Sequence, residues 1–318
     1  MTQQEDAQPT TEPNAIPDLA QNLASLVRRM MLEIRPRLIA GALTGNRAEN
    51  ENLRHTDNFL SDYDLWMHQR YKDLLAEHIP AFVYASEEAD PEVIGDEPAP
   101  DLCVLVDPLD TSELAVRGLY GYTHILIYSR SLARPIVAVV GDIFHHVQLY
   151  LAARDDTGTD RAFMITADGI EHALARPSQA ALPDALVTNY LMRPEQRFQP
   201  LARQQRFLTA LSAAPGDGKA KGRIGVDFGS VGLCHVAAGF SDAMIEFAKG
   251  FAIWDLLPGH YILHAAGGTV IQLDGTPLPL DYNLGSLTNI NRAMSTRRKF
   301  IAAGNSALAD EIRTSLNT

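Results

Sequence analysis

The 318-residue chain has only two cysteines, Cys103 and Cys234, each inside an apolar run and far from the other. That count and spacing exclude a disulfide framework and a cysteine-based zinc site, and suit a reducing compartment. No apolar stretch reaches the ~18 residues of a membrane span. The opening segment, MTQQEDAQPTTEPNAIPDL, lacks both the basic start and the apolar run of a secretion signal. A cytoplasmic protein is the expectation. Positive charge is in deficit as well: 27 Lys and Arg stand against 39 Asp and Glu, a formal net charge of −12. Nucleic acid and anionic membranes are poor partners for such a chain. A phosphate would be repelled too, unless bound divalent cations reverse the local sign.

What is present is enough apolar side chain, 46% of the residues, for a substantial core. Residues 1–17 read as a disordered tail. Leu19, Leu23, Leu26, Val27, Met30, Met31 and Ile34 recur at helical steps, with Asp18 placed to cap them. A polar loop is expected over 41–58, and a helix from about Tyr63 to His78, stopped by Pro80. Ala81–Ala85 reads as a strand, and the acidic, proline-containing 89–101 as a loop. Leu102–Val106 is wholly apolar, as in a buried strand. Thr123–Tyr128, Ile136–Ile143, Val147–Ala152 and Ala162–Ile165 suggest an antiparallel meander. Beyond Leu182 short strands (Ala185–Thr188, Arg206–Leu208) alternate with helices (Ser230–Gly239, Leu256–Ala266), and Asp274-Gly275 signals a hairpin. The expected division is an N-terminal α+β domain over 18–180 and a C-terminal α/β domain over 181–318.

Three acidic clusters follow strands or open helices. Glu87-Glu88 follows the strand ending at Ala85 and Ser86. Asp107 and Asp110 follow the most apolar strand, with Pro108 stiffening the turn. Asp110 and Glu113 have capping-box spacing, so a helix start there would offer amides to an anion. Asp255 follows Trp254. Each cluster alone fits a solvated turn or a helix cap. Together they suit Mg²⁺, a hard ion that takes a few carboxylates and completes its shell with water and substrate.

The motifs resemble those of the inositol monophosphatase family, within the wider group that includes fructose-1,6-bisphosphatases and 3′-phosphoadenosine 5′-phosphate phosphatases. Ser86-Glu87-Glu88 is similar to its Gly-Glu-Glu. Asp107-Pro108-Leu109-Asp110-Thr111-Ser112 is similar to its Asp-Pro-Ile/Leu-Asp-Gly-Thr. Trp254-Asp255 with Ala266-Gly267-Gly268 is similar to its Trp-Asp and Ala-Gly-Gly. The resemblance runs over roughly 19–310. It implies a layered α-β-α-β-α sandwich of the sugar-phosphatase kind and a phosphoric monoester hydrolase using two or three Mg²⁺ ions, with Li⁺ as inhibitor. It implies that Glu87, Asp107 and the Leu109 carbonyl hold one metal, and Asp107, Asp110 and Asp255 a second. Ser112 and Asp64 would act on the attacking water, near Glu87. The backbone over Asp110, Thr111 and Ser112 would grip phosphate. Ser230 and Lys249 fall in the region that contacts substrate. A small phosphorylated metabolite (a sugar, cyclitol or nucleotide phosphate) and a second copy of the chain are the implied partners.

There are departures. Thr111 replaces a glycine whose backbone freedom permits close approach to phosphate. Pro258 falls in the first turn of the helix expected after Asp255. The position of an inositol-contacting acid falls at or near Ala248-Lys249, which argues against inositol monophosphate as the main substrate. His145 and His146, adjacent on a strand, point to opposite faces and cannot share a metal readily. His235 reads as a satisfied core histidine, and 216–222 as a mobile surface loop without the phosphate-loop spacing. Two other functions compete. A haloacid-dehalogenase-type phosphatase would form a covalent aspartyl phosphate, but its acids are spaced by two, not three. A weak or inactive relative would bind metal or a phosphorylated metabolite as sensor or scaffold.

Overall fold

The computed structural model describes residues 16–56, 58–145, 148–175, 177–214 and 218–317. The expected tail lies outside these up to residue 15, whereas Ile16 is buried at the foot of the first helix. That helix, α1 (Asp18–Thr44), buries a stripe from Ala20 to Leu38. Pro17 holds the N-cap position, so Asp18 sits in the first turn rather than as cap, and Gly45 ends the helix in a left-handed turn at φ 71°. Residues 41–44, read as loop, belong to this helix. Strand β1 (Glu49–Asn50) lies in the rest of that polar stretch and pairs with β2 (Leu60–Ser61) just beyond it. Helix α2 (Asp62–Ala76) starts at Ser61, which forms a reciprocal capping box with Asp64.

Strands β3 (Phe82–Ser86), β4 (Ala89–Ile94) and β5 (Leu102–Asp110) follow, then the single turn α3 (Ser112–Ala115). Next come β6 (Tyr122–Ser129), β7 (Arg134–Asp142), β8 (Leu149–Arg154), β9 (Asp160–Ile165) and β10 (Glu171–Leu174). These eight strands form one sheet in the order β10-β9-β8-β7-β6-β5-β3-β4. The expected meander is there, though Val147 lies outside the described residues. β4 corrects the loop reading of 89–101: its acidic, proline-containing sequence is tolerated because β4 lies at the sheet edge, where Pro91 need donate nothing. β5 runs parallel to β3 and antiparallel to β6.

The second sheet is built from β11 (Leu186–Asn189), β12 (Arg223–Val226), β13 (Ala243–Phe251), β14 (Thr269–Ile271) and β15 (Arg298–Ala303), in the order β12-β11-β13-β15-β14. Helices α4 (Gln199–Ala202) and α5 (Gln205–Leu211) follow β11, so Arg206–Leu208 is helical, not strand. Helices α6 (Gly229–Ala238) and α7 (Ile253–Ala265) flank β13, and α8 (Leu287–Met294) and α9 (Ser306–Ser315) flank β15. Because α7 begins at Ile253, Pro258 lies in its second turn and deprives a carbonyl of its partner. Gly275 turns at φ 93°, but the hairpin is minimal: one bridge, Ile271 to Pro277, extends β14, which pairs with β15 instead.

Side-chain alternation sorts the layers. Val104 and Val106 on one face of β5 pack with α1 and α2. Cys103 and Leu105 on the other face pack with α6 and α7. The far face of the second sheet, with Val187, Ile245 and Ile301, packs on α5 and α9. The order α1/α2, large sheet, α6/α7, small sheet, α5/α9 is the α-β-α-β-α sandwich. A strand covered on both faces reads as a continuous apolar run, and each fully buried Val or Leu contributes ~1.5–3 kcal/mol.

Candidate active site

The turn after β5 is the centre of the site. Asp107 and Asp110 both belong to β5, which bulges between them: Asp107 pairs with His124 and Asp110 with Tyr122. Asp110 therefore ends a strand. Thr111 is the N-cap of α3, without a side-chain cap bond, so no capping box forms between Asp110 and Glu113. Thr111 is held at φ 62°, ψ 37°, the left-handed region that suits glycine. A β-branched residue there costs on the order of 1–2 kcal/mol. The turn is unusual, as the family glycine would lead one to expect, and the threonine bears it.

Asp107 is 1% exposed, and among the described residues neither of its carboxylate oxygens has a hydrogen-bond partner. Burial pushes its pKa well up, and the neighbouring Glu87, Asp110 and Asp255 push it further. Glu87 is likewise raised well above the usual carboxylate range by burial, then by Glu88, Asp255 and Asp64, and accepts one hydrogen bond, from Asn58 Nδ2 at 3.1 Å. Burial lifts Glu88 to about 8 and Asp255 to about 6; Asp110 adds to the latter, and Arg297, His124 and Arg197 oppose it. Five acids within one another's field, one with both oxygens unpaired, form a donor set that divalent cations fit and that bare protein tolerates poorly.

Asp64 sits in the first turn of α2, 1% exposed. Its Oδ2 accepts from the Ser61 amide (2.7 Å) and hydroxyl (2.5 Å). Its Oδ1 lies 2.5 Å from Ser112 Oγ, which is also 2.7 Å from the Leu109 carbonyl. One hydroxyl proton thus faces two acceptors. Burial lifts Asp64 to about 6, against the pull of the bonds from Ser112 and Ser61.

His124 did not stand out in the sequence. It is fully buried, its Nε2 lies 2.9 Å from Asp110 Oδ2, and its Nδ1 has no partner among the described residues. Donor atoms of Asp107, Asp110 and His124 all fall within 4.8 Å of one another. β6 is buried along its whole length, so no polar–apolar alternation marks which face His124 occupies. The one available signal is a lone histidine in a strand otherwise free of ionisable groups other than tyrosine.

Glu87, Asp110, Ser112 and Asp255 line a cavity bounded also by Asn58, Leu109, Thr111, Glu113, Gly229 and Lys249, among others. Lys249 lies on it, half-buried. Ser230 does not: it is fully buried, donates to the Asp255 carbonyl at 2.9 Å and accepts from the Gly259 amide at 3.0 Å, tying α6 to α7 beneath Asp255. His145 stacks on Tyr120, and His146 lies outside the described residues. His235 is satisfied, by Asp227 at 2.8 Å. Of the glycine-rich segment 216–222, Gly216 and Asp217 lie outside the described residues.

The inositol monophosphatase family model matches residues 21–313. Over 62 residues the chain is 40% identical to human inositol monophosphatase 2, a match covering 20% of this chain and 21% of that protein. The extragenic suppressor protein SuhB of Bartonella henselae superposes with TM-score 0.65 at 17% identity, covering 95% of this chain and 99% of that one. A calcium-bound inositol monophosphatase family protein of Staphylococcus aureus gives TM-score 0.64 at 16% identity, covering 94% and 96%. At such identities the two superpositions speak for a shared fold.

Proposed function

The chain belongs to the inositol monophosphatase family, and from that premise we propose that it is a Mg²⁺-dependent phosphatase acting on a small phosphate monoester. One observation carries this reading: the unpartnered, buried carboxylate of Asp107 among Glu87, Asp110 and Asp255. Asp107, Glu87 and the Leu109 carbonyl would hold one ion, and Asp107, Asp110 and Asp255 another. When bound, a divalent cation supplies positive charge to the phosphoryl oxygens and lowers the pKa of water.

The protein's own groups do the rest. The Ser112 hydroxyl accepts a proton from the attacking water as it passes its own to Asp64 Oδ1, a relay whose second half is already 2.5 Å long. Ser61 holds Asp64 in place for this. The amides of Ser112 and Glu113, at the start of α3, lack partners within the helix and would face the phosphate. Li⁺ would inhibit by competing for the cage, and a homodimer would be the working form.

Phosphate release from sugar, cyclitol and nucleotide monophosphates, with and without Mg²⁺, tests the reading. Mg²⁺-dependent release that Asp107→Asn abolishes is the result in favour. Release at native rates from that variant would overturn it, and silence over the whole panel would favour a sensor or scaffold.

A further inference from the structure

Residues 227–230, which lead from β12 into α6, supply none of the acids but stand behind two of them. Gly229 is so close to Asp110 that a Cβ there would meet its carboxylate. Ser230, next in the chain, donates to the Asp255 carbonyl and accepts from the Gly259 amide. Asp110 and Asp255 are thus backed by consecutive residues of one turn.

Little within the turn itself holds it. Gly229 adopts φ 36°, a conformation open to few other residues. Phe228 is the N-cap of α6, at φ −135° and ψ 147°, and its apolar side chain gives no cap bond. The restraint comes from Asp227, one residue earlier and 5% exposed. Its Oδ1 accepts from the Phe228 amide at 3.0 Å, and its Oδ2 lies 2.8 Å from Nδ1 of His235, eight residues on and in the last turn of α6. Helical side chains tilt back toward the N-terminus, which lets His235 reach the turn. One carboxylate therefore ties the entry of the helix to its end. Burial by itself lowers the His235 pKa, but the charge and hydrogen bond of Asp227, with Asp142 adding to them, raise it above 6.5. The Phe228 ring packs against Tyr120, Tyr122 and Tyr190, at centroid distances of 4.9, 6.2 and 5.4 Å. Neither Asp227 nor His235 lines the cavity of the acids; both border a separate one with Leu186, Thr188 and Phe240.

We propose that Asp227 and His235 are positioning residues: as a pair they set where Gly229 and Ser230 stand, and through them the placement of Asp110 and Asp255 for metal. This rests on the reading that those acids hold a divalent cation. The competing account is that the pair only stabilises α6. A purely stabilising pair lowers Tm when broken and leaves the metal affinity of the folded protein unchanged, whereas a positioning pair changes both.

The experiment is titration calorimetry with Mn²⁺ on the full chain, well below the Tm of every variant. Asp227→Ala weakens binding at least tenfold, the low end of the ~10–100-fold loss seen when a group that orients a metal ligand is removed. His235→Phe keeps a ring in place but leaves Asp227 only its amide contact, and weakens binding at least threefold. The double variant binds no more than twofold worse than Asp227→Ala, because both changes break one device. Leu308→Ala, in the core of α9 on the far face of the small sheet, lowers Tm and keeps the wild-type Kd. Smaller losses in a wild type that binds Mn²⁺, or an equal loss in Leu308→Ala, overturn the proposal and leave the metal reading standing. A wild type that binds no Mn²⁺ overturns both. If Asp227→Ala does not fold, His235→Phe decides by the same threshold.

Discussion

Gly229 stands against the carboxylate of Asp110: a Cβ on Gly229 would come 1.9 Å from Oδ2 and 2.8 Å from Cγ. Its φ of 36° also disfavours a side chain. Gly229→Ala must push Asp110 aside. A displacement of about 1 Å at a reacting centre costs on the order of 10²-fold in rate. Phosphate release in Mg²⁺ should fall by that factor with far-UV circular dichroism unchanged. Near-native turnover would show that Asp110 need not sit where it does.

Asp107→Asn separates stability from function. The carboxylate is buried with no partner, so neutralising it should stabilise the metal-free protein by ~1–3 kcal/mol. That is a rise in Tm of roughly 2–8 °C. Mg²⁺, which should raise the wild-type Tm, should leave the variant nearly unmoved. Thermal melts with chelator and with Mg²⁺ read both effects.

His124 touches Asp110, and its imidazole shares a small space with Asp107. Removing a group that orients or joins a ligand set typically costs 10–100-fold in metal affinity. Titration calorimetry with Mn²⁺ should show such a loss in His124→Phe. An unchanged Kd would reduce the histidine to a packing role.

Thr111→Gly relieves the left-handed strain. The gain, offset by glycine's freedom in the unfolded chain, should be up to about 1 kcal/mol. Urea midpoints should rise or hold, whereas Thr111→Ala, which keeps a Cβ, should show no gain. A clear drop for glycine would mean that the threonine hydroxyl contact to the Asp110 carbonyl outweighs the strain.

His260 offers a pH test away from the acids. It is buried in α7 with Nδ1 3.0 Å from the Tyr282 hydroxyl, and burial, with His264 and Arg298 nearby, lowers its pKa from 6.5 to about 3. Between those values the unfolded chain binds the extra proton, so this group's contribution is full above pH 6.5 and is lost on acidification. From pH 6.5 to 5 the loss is ~2 kcal/mol. Asp64 and Asp255, raised by burial, work in the opposite sense, so the difference between wild type and His260→Gln isolates the histidine. Urea unfolding at pH 7 and pH 5, at fixed metal, should show a shallower acid loss in the variant.

Glu87, Asp107 and Asp110 were legible because they follow or end strands whose apolar runs are plain. The layered sandwich was legible through the same motifs. Other features had no local signature. β13 was missed because Glu246 and Lys249 interrupt its apolar run, and Glu246 is buried only because Arg197, remote in sequence, meets it. β4 was missed because an edge strand can be acidic and contain proline. Asp110 was placed at a helix start because capping-box spacing is identical in a bulged strand. The cations that line the cavity, Arg193, Arg197, Lys249 and Arg297, come from separated positions that nothing in the sequence marks as neighbours.

Asp255 opens α7, the helix sandwiched between the two sheets. A nascent chain leaving the ribosome therefore displays Glu87, Asp107 and Asp110 well before the fourth acid is synthesised. During that interval the large sheet has no inner cover and the acid cluster is incomplete. The site is therefore finished only when the last third of the chain closes over the first.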